Sequence, residues 1–204
     1  MKKILATVWL FLLANTAYGE IDDTEALLAV LNSIDSMQGQ FSQQQYDESN
    51  ALLATSAGQF RLLRPGYFAW EIESPDSQLI IADPQYIWQY DRDLETVTRR
   101  PVDDSQQMSP LQVLGGNETL LRGSFDVEQT ATDTFSLSPK GINPGFQSLL
   151  VTFSGNAFAA LEIEDNLNQR IVIEFAQVDS ESKLLVEDFS FIPPQEADLF
   201  YYDQ

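Results

Sequence analysis

Residues 57–75, AGQFRLLRPGYFAWEIESP, decide the fold class because they contain two adjacent stretches with the alternation of β-strands. Phe60 and Leu62 share one face of the first strand, and Phe68 and Trp70 share one face of the second. The Pro-Gly pair between them favours a chain reversal, because proline presets φ in a turn and glycine tolerates the positive φ that often follows. The stretch therefore predicts two paired strands with an arginine at their corner.

Short strands separated by polar turns continue through the rest of the chain. One group is predicted between residues 78 and 100, and a second group begins at residue 125. A last strand is predicted where Phe189 and Phe191 alternate, before two prolines end it. About ten strands with turns at intervals of roughly 8–12 residues are typical of a sandwich or a barrel. The sequence therefore predicts a mainly β fold.

Two helices are predicted beside these strands. Residues 22–34 place apolar side chains at three- and four-residue steps behind an N-cap signature. Residues 109–121 break the strand pattern with apolar side chains at three-residue steps. Two helices are too few for a layer of their own but can cover one opening of a curved sheet, so we expect an apolar space beneath them. The covering positions are Leu27, Leu31, Met108, Leu111 and Leu114.

Residues 1–19 are predicted to be a secretory signal peptide, which leaves residues 20–204 as a single domain. Lys2 and Lys3 precede a short apolar run, and a small-x-small cleavage pattern follows at Ala17-Tyr18-Gly19. The apolar run is too short to span a bilayer as a helix. We therefore expect a protein that acts outside the cytoplasm without inserting into a membrane.

The charge of the chain disfavours two classes of partner. Eleven lysines and arginines stand against 31 aspartates and glutamates, which gives a formal net charge of -20. Such a surface repels the phosphates of nucleic acids and of anionic lipids. We expect no nucleic-acid binding and no electrostatic docking to membranes.

The residue types that are missing exclude several chemistries. The chain contains no cysteine and no histidine, so thiol nucleophiles, Ser-His-Asp triads and imidazole metal ligands are impossible. Carboxylate pairs such as Asp103-Asp104 and Glu162/Glu164 are frequent by chance in so acidic a chain. We therefore predict no catalytic residue, no metal site and no cofactor, and expect that the protein is not an enzyme.

Wide apolar side chains at inward-facing strand positions are the most informative group. On a curved sheet they can together line a dry cavity for an apolar ligand, although ordinary core packing is the better explanation for any single one of them. Arg64 could hold a covering helix at the rim through its several hydrogen-bond donors, or could pair with a surface acid. The candidate cavity positions are Phe60, Leu62, Phe68, Trp70, Ile72, Ile80, Trp88, Phe125, Phe135 and Phe153.

Three motifs resemble the LolA family, the periplasmic outer-membrane lipoprotein carrier proteins of Gram-negative bacteria. The resemblance extends from the signal peptide to the end of the predicted last strand, and it is densest between residues 58 and 91. The motifs are Phe60-x-Leu62-x-Arg64-Pro65-Gly66-x-Phe68-x-Trp70, then Ile80-Ile81-Ala82-Asp83, then Trp88-x-Tyr90-Asp91.

The resemblance implies an incomplete antiparallel β-barrel closed by a helical lid over an apolar cavity. It implies a monomeric periplasmic carrier whose cargo is the acyl chains of lipoproteins. A lipoprotein-releasing ABC transporter of the inner membrane would supply the cargo, and an acceptor lipoprotein at the outer membrane would receive it. By this similarity Arg64 is the residue that latches the lid, and Phe68 lies near the cavity mouth.

Two other functions remain open from the residues alone. One is an envelope sensor or regulatory module that recognises lipid on the same half-barrel. The other is a hydrolase that uses carboxylates such as Asp103 or Glu162. The acceptor lipoprotein itself is excluded because it requires an N-terminal cysteine, which this chain lacks.

Overall fold

The computed structural model describes residues 22–102, 113, 115, 118–141 and 145–202. Two α-helices are described, α1 (Asp23–Asn32) and α2 (Glu118–Ser124), together with a 3-10 helix at Val186–Phe189. The strands are β1 (Ser36–Tyr46), β2 (Leu52–Leu63), β3 (Tyr67–Ser74), β4 (Gln78–Ala82), β5 (Tyr86–Asp91), β6 (Thr96–Pro101), β7 (Phe125–Ala131), β8 (Thr134–Pro139), β9 (Ser148–Ser154), β10 (Ala157–Glu164), β11 (Arg170–Asp179) and β12 (Asp198–Tyr201).

All twelve strands form one sheet in the order β12-β6-β5-β4-β3-β2-β1-β11-β10-β9-β8-β7. Neighbours are antiparallel except β12, which runs parallel to β6. The sheet curves, because Phe68 of β3 and Leu137 of β8 belong to one buried cluster although they lie far apart in the strand order. Its two ends, β12 and β7, do not pair with each other. The prediction of an incomplete antiparallel barrel is confirmed.

The hairpin predicted within residues 57–75 is confirmed. Phe60 of β2 pairs with Trp70 of β3, and Leu62 pairs with Phe68. Gly66 in the connection has a φ of 84°, a value that glycine adopts without a steric penalty. We call the face that carries these four side chains the concave face, because they join the buried cluster, and the opposite face the convex face.

Helix α1 covers the concave face. The side chain of Asp22 accepts a hydrogen bond from the backbone N–H of Thr24, which is the predicted N-cap. Leu27, Leu28 and Leu31 form the apolar stripe and are buried in the cluster of the concave face. The helix predicted at residues 22–34 is confirmed, with its last turn ending at Asn32.

The connection between β6 and β7 joins opposite ends of the sheet. It carries α2, whose Leu121 is fully buried, and a helical residue at Val113 that is also buried. The helix predicted at residues 109–121 lies mostly outside the described residues, and so do the predicted covering positions Met108, Leu111 and Leu114.

The predicted last strand is wrong. Phe189 ends the 3-10 helix, and Phe191 follows it without pairing as a strand. Both side chains instead pack on the convex face against Ala69 and Ile81. Alternation over three residues is too short to distinguish a strand from a segment that crosses a sheet. The last strand among the described residues is β12, and these residues form twelve strands rather than about ten.

Candidate functional site

A chain of contacting aromatic rings crosses the concave face. Phe41 and Trp70 stack at a centroid distance of 3.6 Å, and Phe60 meets Phe175 edge to face at 4.9 Å. Such contacts between rings contribute free energy in addition to that of burying the rings. The rings run from one half of the sheet to the other through the pairs Phe68–Trp70, Trp70–Phe41, Trp70–Phe175, Phe175–Phe158, Phe158–Phe153 and Phe153–Phe135.

The interior that these rings line carries no charge. In the part of the chain that the structure describes, no polar or charged side chain is fully buried, and Arg64, at the corner between β2 and β3, is partly buried. An apolar ligand that enters this interior would not break hydrogen bonds of fully buried side chains. The main free-energy cost of its entry would be the separation of the packed apolar side chains.

Nine of the ten candidate cavity positions lie together on the concave face. Ile72 and Ile80 are partly buried and pack against the edge of the cluster. The two lid positions Leu27 and Leu31 of α1 belong to the same cluster. The fully enclosed members are Phe60, Leu62, Phe68, Trp70, Phe125, Phe135 and Phe153. Their role in binding a ligand stays a prediction.

Trp88 is predicted at a cavity position, but the structure places it on the convex face. It pairs across the sheet with Ile81, and its ring packs against Phe191 at 5.6 Å and Tyr201 at 6.1 Å. The sequence misleads here because β4 is apolar on both faces, so alternation alone does not tell which face of β5 points inward. The convex side of these strands is apolar because the C-terminal segment covers it.

Four buried or half-buried rings of the interior are not among the candidate positions. Phe41 lies in a glutamine-rich stretch, where alternation is weak. Phe158 is hidden by an irregularity in β10, where the register shifts between residues 158 and 160, so that Phe158 and Leu161 face inward together. The other two are Phe146, which stacks near Phe125, and Phe175.

Arg64 lies at the corner between β2 and β3. Its backbone N–H donates to the carbonyl oxygen of Asp35 at 2.9 Å, which ties this corner to the connection between α1 and β1. Burial lowers the pKa of Arg64 to about 10, because the charged guanidinium loses contact with water. The group therefore keeps its positive charge at neutral pH. Its predicted role as the lid latch stays a prediction.

Polar contacts join the covering helices at their outer surface. Arg122 of α2 donates to both carboxylate oxygens of Glu25 of α1, and Asn32 donates to Glu118 at 2.8 Å. The hydrogen bond with Arg122 lowers the pKa of Glu25, and the same contact raises the pKa of Arg122. Both side chains are about half exposed, so this pair orients the helices more than it stabilises them.

A polar groove of about 310 Å³ lies on the convex face, directly behind the aromatic interior. Arg92 donates to Glu71 at 2.6 Å beside it. Hydrogen bonds from Ser182 and from the backbone N–H groups of Glu181 and Ser182 lower the pKa of Asp179 to about 2. The groove is lined by Gln38, Gly39, Gln40, Gln59, Phe60, Arg61, Ala69, Glu71, Gln177 and Asp179.

Two further properties hold over the described ranges, which leave out residues 1–21, 103–112 and a few others. Within these ranges, no three acidic side chains gather in a way that could hold a metal ion. Within the same ranges, none of the helices combines the length and the apolar character needed to cross a membrane.

An unclosed, curved β-sheet with an uncharged aromatic interior and helices across it defines a class of proteins suited to holding apolar ligands. The sequence model of the family described as "Outer membrane lipoprotein carrier protein LolA" matches residues 32–192. The chain belongs to this family.

Similar proteins extend over nearly the whole chain. The outer-membrane lipoprotein carrier protein of Alcanivorax borkumensis is 33% identical over 211 residues and covers 100% of both chains. The protein of the same name from Chromohalobacter salexigens is 34% identical and covers 90% of this chain and 89% of its own length.

Solved structures agree with the fold. The LolA superfamily protein NE2245 from Nitrosomonas europaea superposes with a TM-score of 0.50 at 13% identity, over 82% of this chain and 97% of its own. An uncharacterized conserved protein from Thermus thermophilus reaches a TM-score of 0.54 at 9% identity, over 87% and 98% of the two chains. At these identities the likeness concerns the fold alone.

Proposed function

We propose that this protein carries lipoproteins through the periplasm by holding their acyl chains against the concave face. The observation that supports this function is the continuous row of aromatic rings in an interior without buried charge, found in a member of the lipoprotein carrier family. Burial of an acyl chain contributes about 0.8 kcal/mol per methylene, so a single chain supplies ample affinity without a catalytic group.

Binding requires the rings to separate. Phe41 and Trp70 are in direct stacking contact. An acyl chain between them must therefore replace the contact of ring with ring by contacts of each ring with its methylenes. Aromatic faces offer similar contact to any methylene chain, which suits a carrier of many different lipoproteins. The protein therefore acts as a non-enzymatic chaperone whose aromatic interior opens for cargo and closes without it.

The cellular setting follows from the same proposal. Residues 1–19 direct the chain to the periplasm, and residues 20–204 form the single carrier domain. The cargo is acylated lipoprotein, the donor is the lipoprotein-releasing ABC transporter of the inner membrane, and the recipient is an acceptor lipoprotein of the outer membrane. The carrier works as a monomer, without cofactor or metal.

A pair of neighbouring substitutions on β4 tests the concave face as the binding site. Ile80→Glu places a carboxylate at the edge of the apolar interior, whereas Leu79→Glu places the same group on the convex face. Both residues are partly buried, so the two variants are matched in the burial that they disturb. Binding of a fluorescent acylated lipopeptide should weaken at least about tenfold in Ile80→Glu, because a charge in an apolar site must be desolvated. Equal weakening in both variants would contradict the proposed site.

Native mass spectrometry of protein taken from the periplasm tests the cargo itself. Overproduction of a lipoprotein should give a second species, heavier by one acylated protein. If the spectrum contained only unbound carrier under these conditions, the proposed function would be contradicted. This outcome would hold even if the purified protein bound the lipopeptide.

The latch role of Arg64 can be tested separately from cargo binding. We expect that Arg64→Leu loads lipopeptide but delivers it poorly to the acceptor, because a lid that no longer closes does not compete with the acyl chains. Arg61→Leu is the control, since Arg61 lies three residues earlier, in β2, and lines the convex groove. Normal delivery by Arg64→Leu would remove the latch role and leave the carrier function intact.

A further inference from the structure

The strand β12 forms one end of the sheet, and its outer edge pairs with no other strand of the described residues. The N–H of Asp198 donates to the carbonyl oxygen of Glu95 at 2.8 Å, and that of Tyr202 donates to Arg99 at 2.9 Å. Because backbone groups alternate in direction along a strand, the N–H and C=O groups of Leu199 and Tyr201 point away from β6. Among the described strands, none lies beyond β12, so these groups are available to a further strand.

The open edge is held in a fixed position. The guanidinium of Arg99 lies 4.4 Å from the ring centroid of Tyr201 and 4.4 Å from that of Tyr86. Tyr201 also meets Trp88 edge to face at 6.1 Å. These contacts pin β12 to β5 and β6 from the convex side. An edge that is already ordered costs less entropy to extend by another strand.

The other end of the sheet differs, because α1 shields it. The carboxylate of Asp23 accepts a hydrogen bond from the N–H of Gln129 in β7 at 2.9 Å. This contact uses a backbone group that the edge would otherwise offer to another chain, which is one of the ways in which proteins block sheet edges. β12 shows no such shielding within the described residues, although a free edge is a liability.

The side chains along the edge indicate the chemistry of its partner. Leu199, Phe200, Tyr201 and Tyr202 expose about half of their surface, from 46% to 60%. Three carboxylates are exposed near the start of β12. They belong to Glu196 and Asp198 and to Glu95, which precedes the paired strand β6. We propose that β12 is a docking edge for an extended segment of a partner protein that alternates basic and apolar residues and adds to the sheet as a thirteenth strand.

Two copies of this chain are the less suitable occupants of that edge. Each carries a formal charge of -20, so two copies repel each other as they approach. A basic segment instead combines main-chain hydrogen bonds with charge attraction, and its apolar residues cover the exposed aromatics. The partner is therefore a cationic extended segment rather than a second carrier.

Amide hydrogen exchange with two synthetic peptides tests this inference. A ten-residue peptide of alternating Lys and Val should slow exchange at Leu199 and Tyr201 by about tenfold or more, while the Glu and Val counterpart should leave both amides unchanged. Binding of the lysine peptide should weaken as salt rises. Equal effects of both peptides, or binding of the lysine peptide without protection of these two amides, would overturn the proposal.

Two variants of one residue separate the backbone from the side chain. Leu199→Pro removes an edge-facing N–H that β6 does not use, and Leu199→Ala removes the same side chain but keeps that N–H. The alanine variant should retain the protection at Tyr201, and the proline variant should lose it. Slow exchange at Tyr202 in the free variants verifies that β12 still pairs with β6. A dimer detected by sedimentation, with slow exchange at Leu199 and Tyr201 in the absence of peptide, would show that the occupant of the edge is a second copy. That result would contradict the proposal.

Discussion

The two faces of β2 and β3 differ completely although their residues are neighbours in sequence. Phe60 and Trp70 pair on the concave face and are almost fully buried, whereas Gln59 and Glu71, one position away, pair on the convex face beside a polar groove. A slip of one residue in either strand would exchange these faces. The contrast teaches that one set of strands supports two kinds of surface, one suited to apolar ligands and one suited to hydrogen bonding.

The difference between the faces also fixes the register of the sheet. A row of large rings cannot be turned towards water without losing the free energy of their burial, which is about 25 cal/mol per Å². The polar face contributes less, because exposed ion pairs such as Arg92–Glu71 gain little over their hydrated state. We therefore expect substitutions on the concave face to lower the free energy of unfolding more than substitutions on the convex face.

The largest effect is expected from Trp70. Trp70→Ala removes a ring that contacts Phe41, Phe60 and Phe68, and should lower the free energy of unfolding by about 3–5 kcal/mol. Urea titration monitored by far-UV circular dichroism measures this change.

Glu71→Ala is the matched control on the adjacent position. It removes the partner of Arg92, a pair in which both side chains are about one third exposed, so the free energy of unfolding should fall by only about 0–1 kcal/mol. If both substitutions cost the same, the two faces of β3 would be equally important and the comparison would fail.

In the covering helices, a buried leucine of α1 should contribute more to stability than the ion pair on their outer surface. Leu31→Ala leaves a cavity where a fully buried side chain of α1 packs on the concave face. It should lower the free energy of unfolding by about 2–5 kcal/mol. Arg122→Gln breaks the ion pair with Glu25 on the outer surface, where water replaces the contact, so the urea midpoint should move far less.

The ion pair should instead govern how often the helices separate. In Arg122→Gln, amides of α1 should exchange faster under native conditions while the urea midpoint stays near that of the wild type. Glu118→Gln, at the weaker contact of Arg122 at 3.8 Å, is the control and should change neither quantity. If Arg122→Gln lowered the urea midpoint as much as Leu31→Ala does, the surface ion pair would stabilise the covering helices as strongly as the buried leucine, which would contradict this prediction.

The predictable part of the fold depends on regular alternation. The Phe60 to Trp70 hairpin and the helix with Leu27 and Leu31 can be predicted because their side chains follow the period of one secondary structure without interruption. Nine of the ten candidate cavity positions share the concave face for the same reason, and their role in binding a ligand stays a prediction.

The missed part depends on contacts between segments far apart in sequence. Trp88 faces outward because residues near Phe191 and Tyr201 cover the convex side, which no local pattern reveals. Phe158 is missed because the register shift in β10 interrupts alternation. The pairing of β12 with β6 joins residues about a hundred positions apart, and its four residues carry no alternation of burial at all.

The smallest effect concerns the convex face and is a matter of pH. Asp179 has a pKa of about 2 in the folded protein, chiefly because the Ser182 hydroxyl donates to its carboxylate, against about 3.9 in an unfolded chain. A carboxyl whose pKa is lowered by folding stabilises the fold above its unfolded pKa. That contribution is complete above about pH 4 and is lost as the pH falls towards 2.

Ser182→Ala should therefore raise the pKa of Asp179 and weaken the fall of stability between about pH 4 and pH 2. An NMR titration of the Asp179 carboxyl carbon measures the pKa directly, and Ser180→Ala, in the same turn, is the control. Two backbone N–H groups continue to donate to the carboxylate in the variant, so the pKa should stay below that of an unfolded chain. An unchanged pKa in Ser182→Ala would mean that the backbone of the turn alone sets the charge of this face.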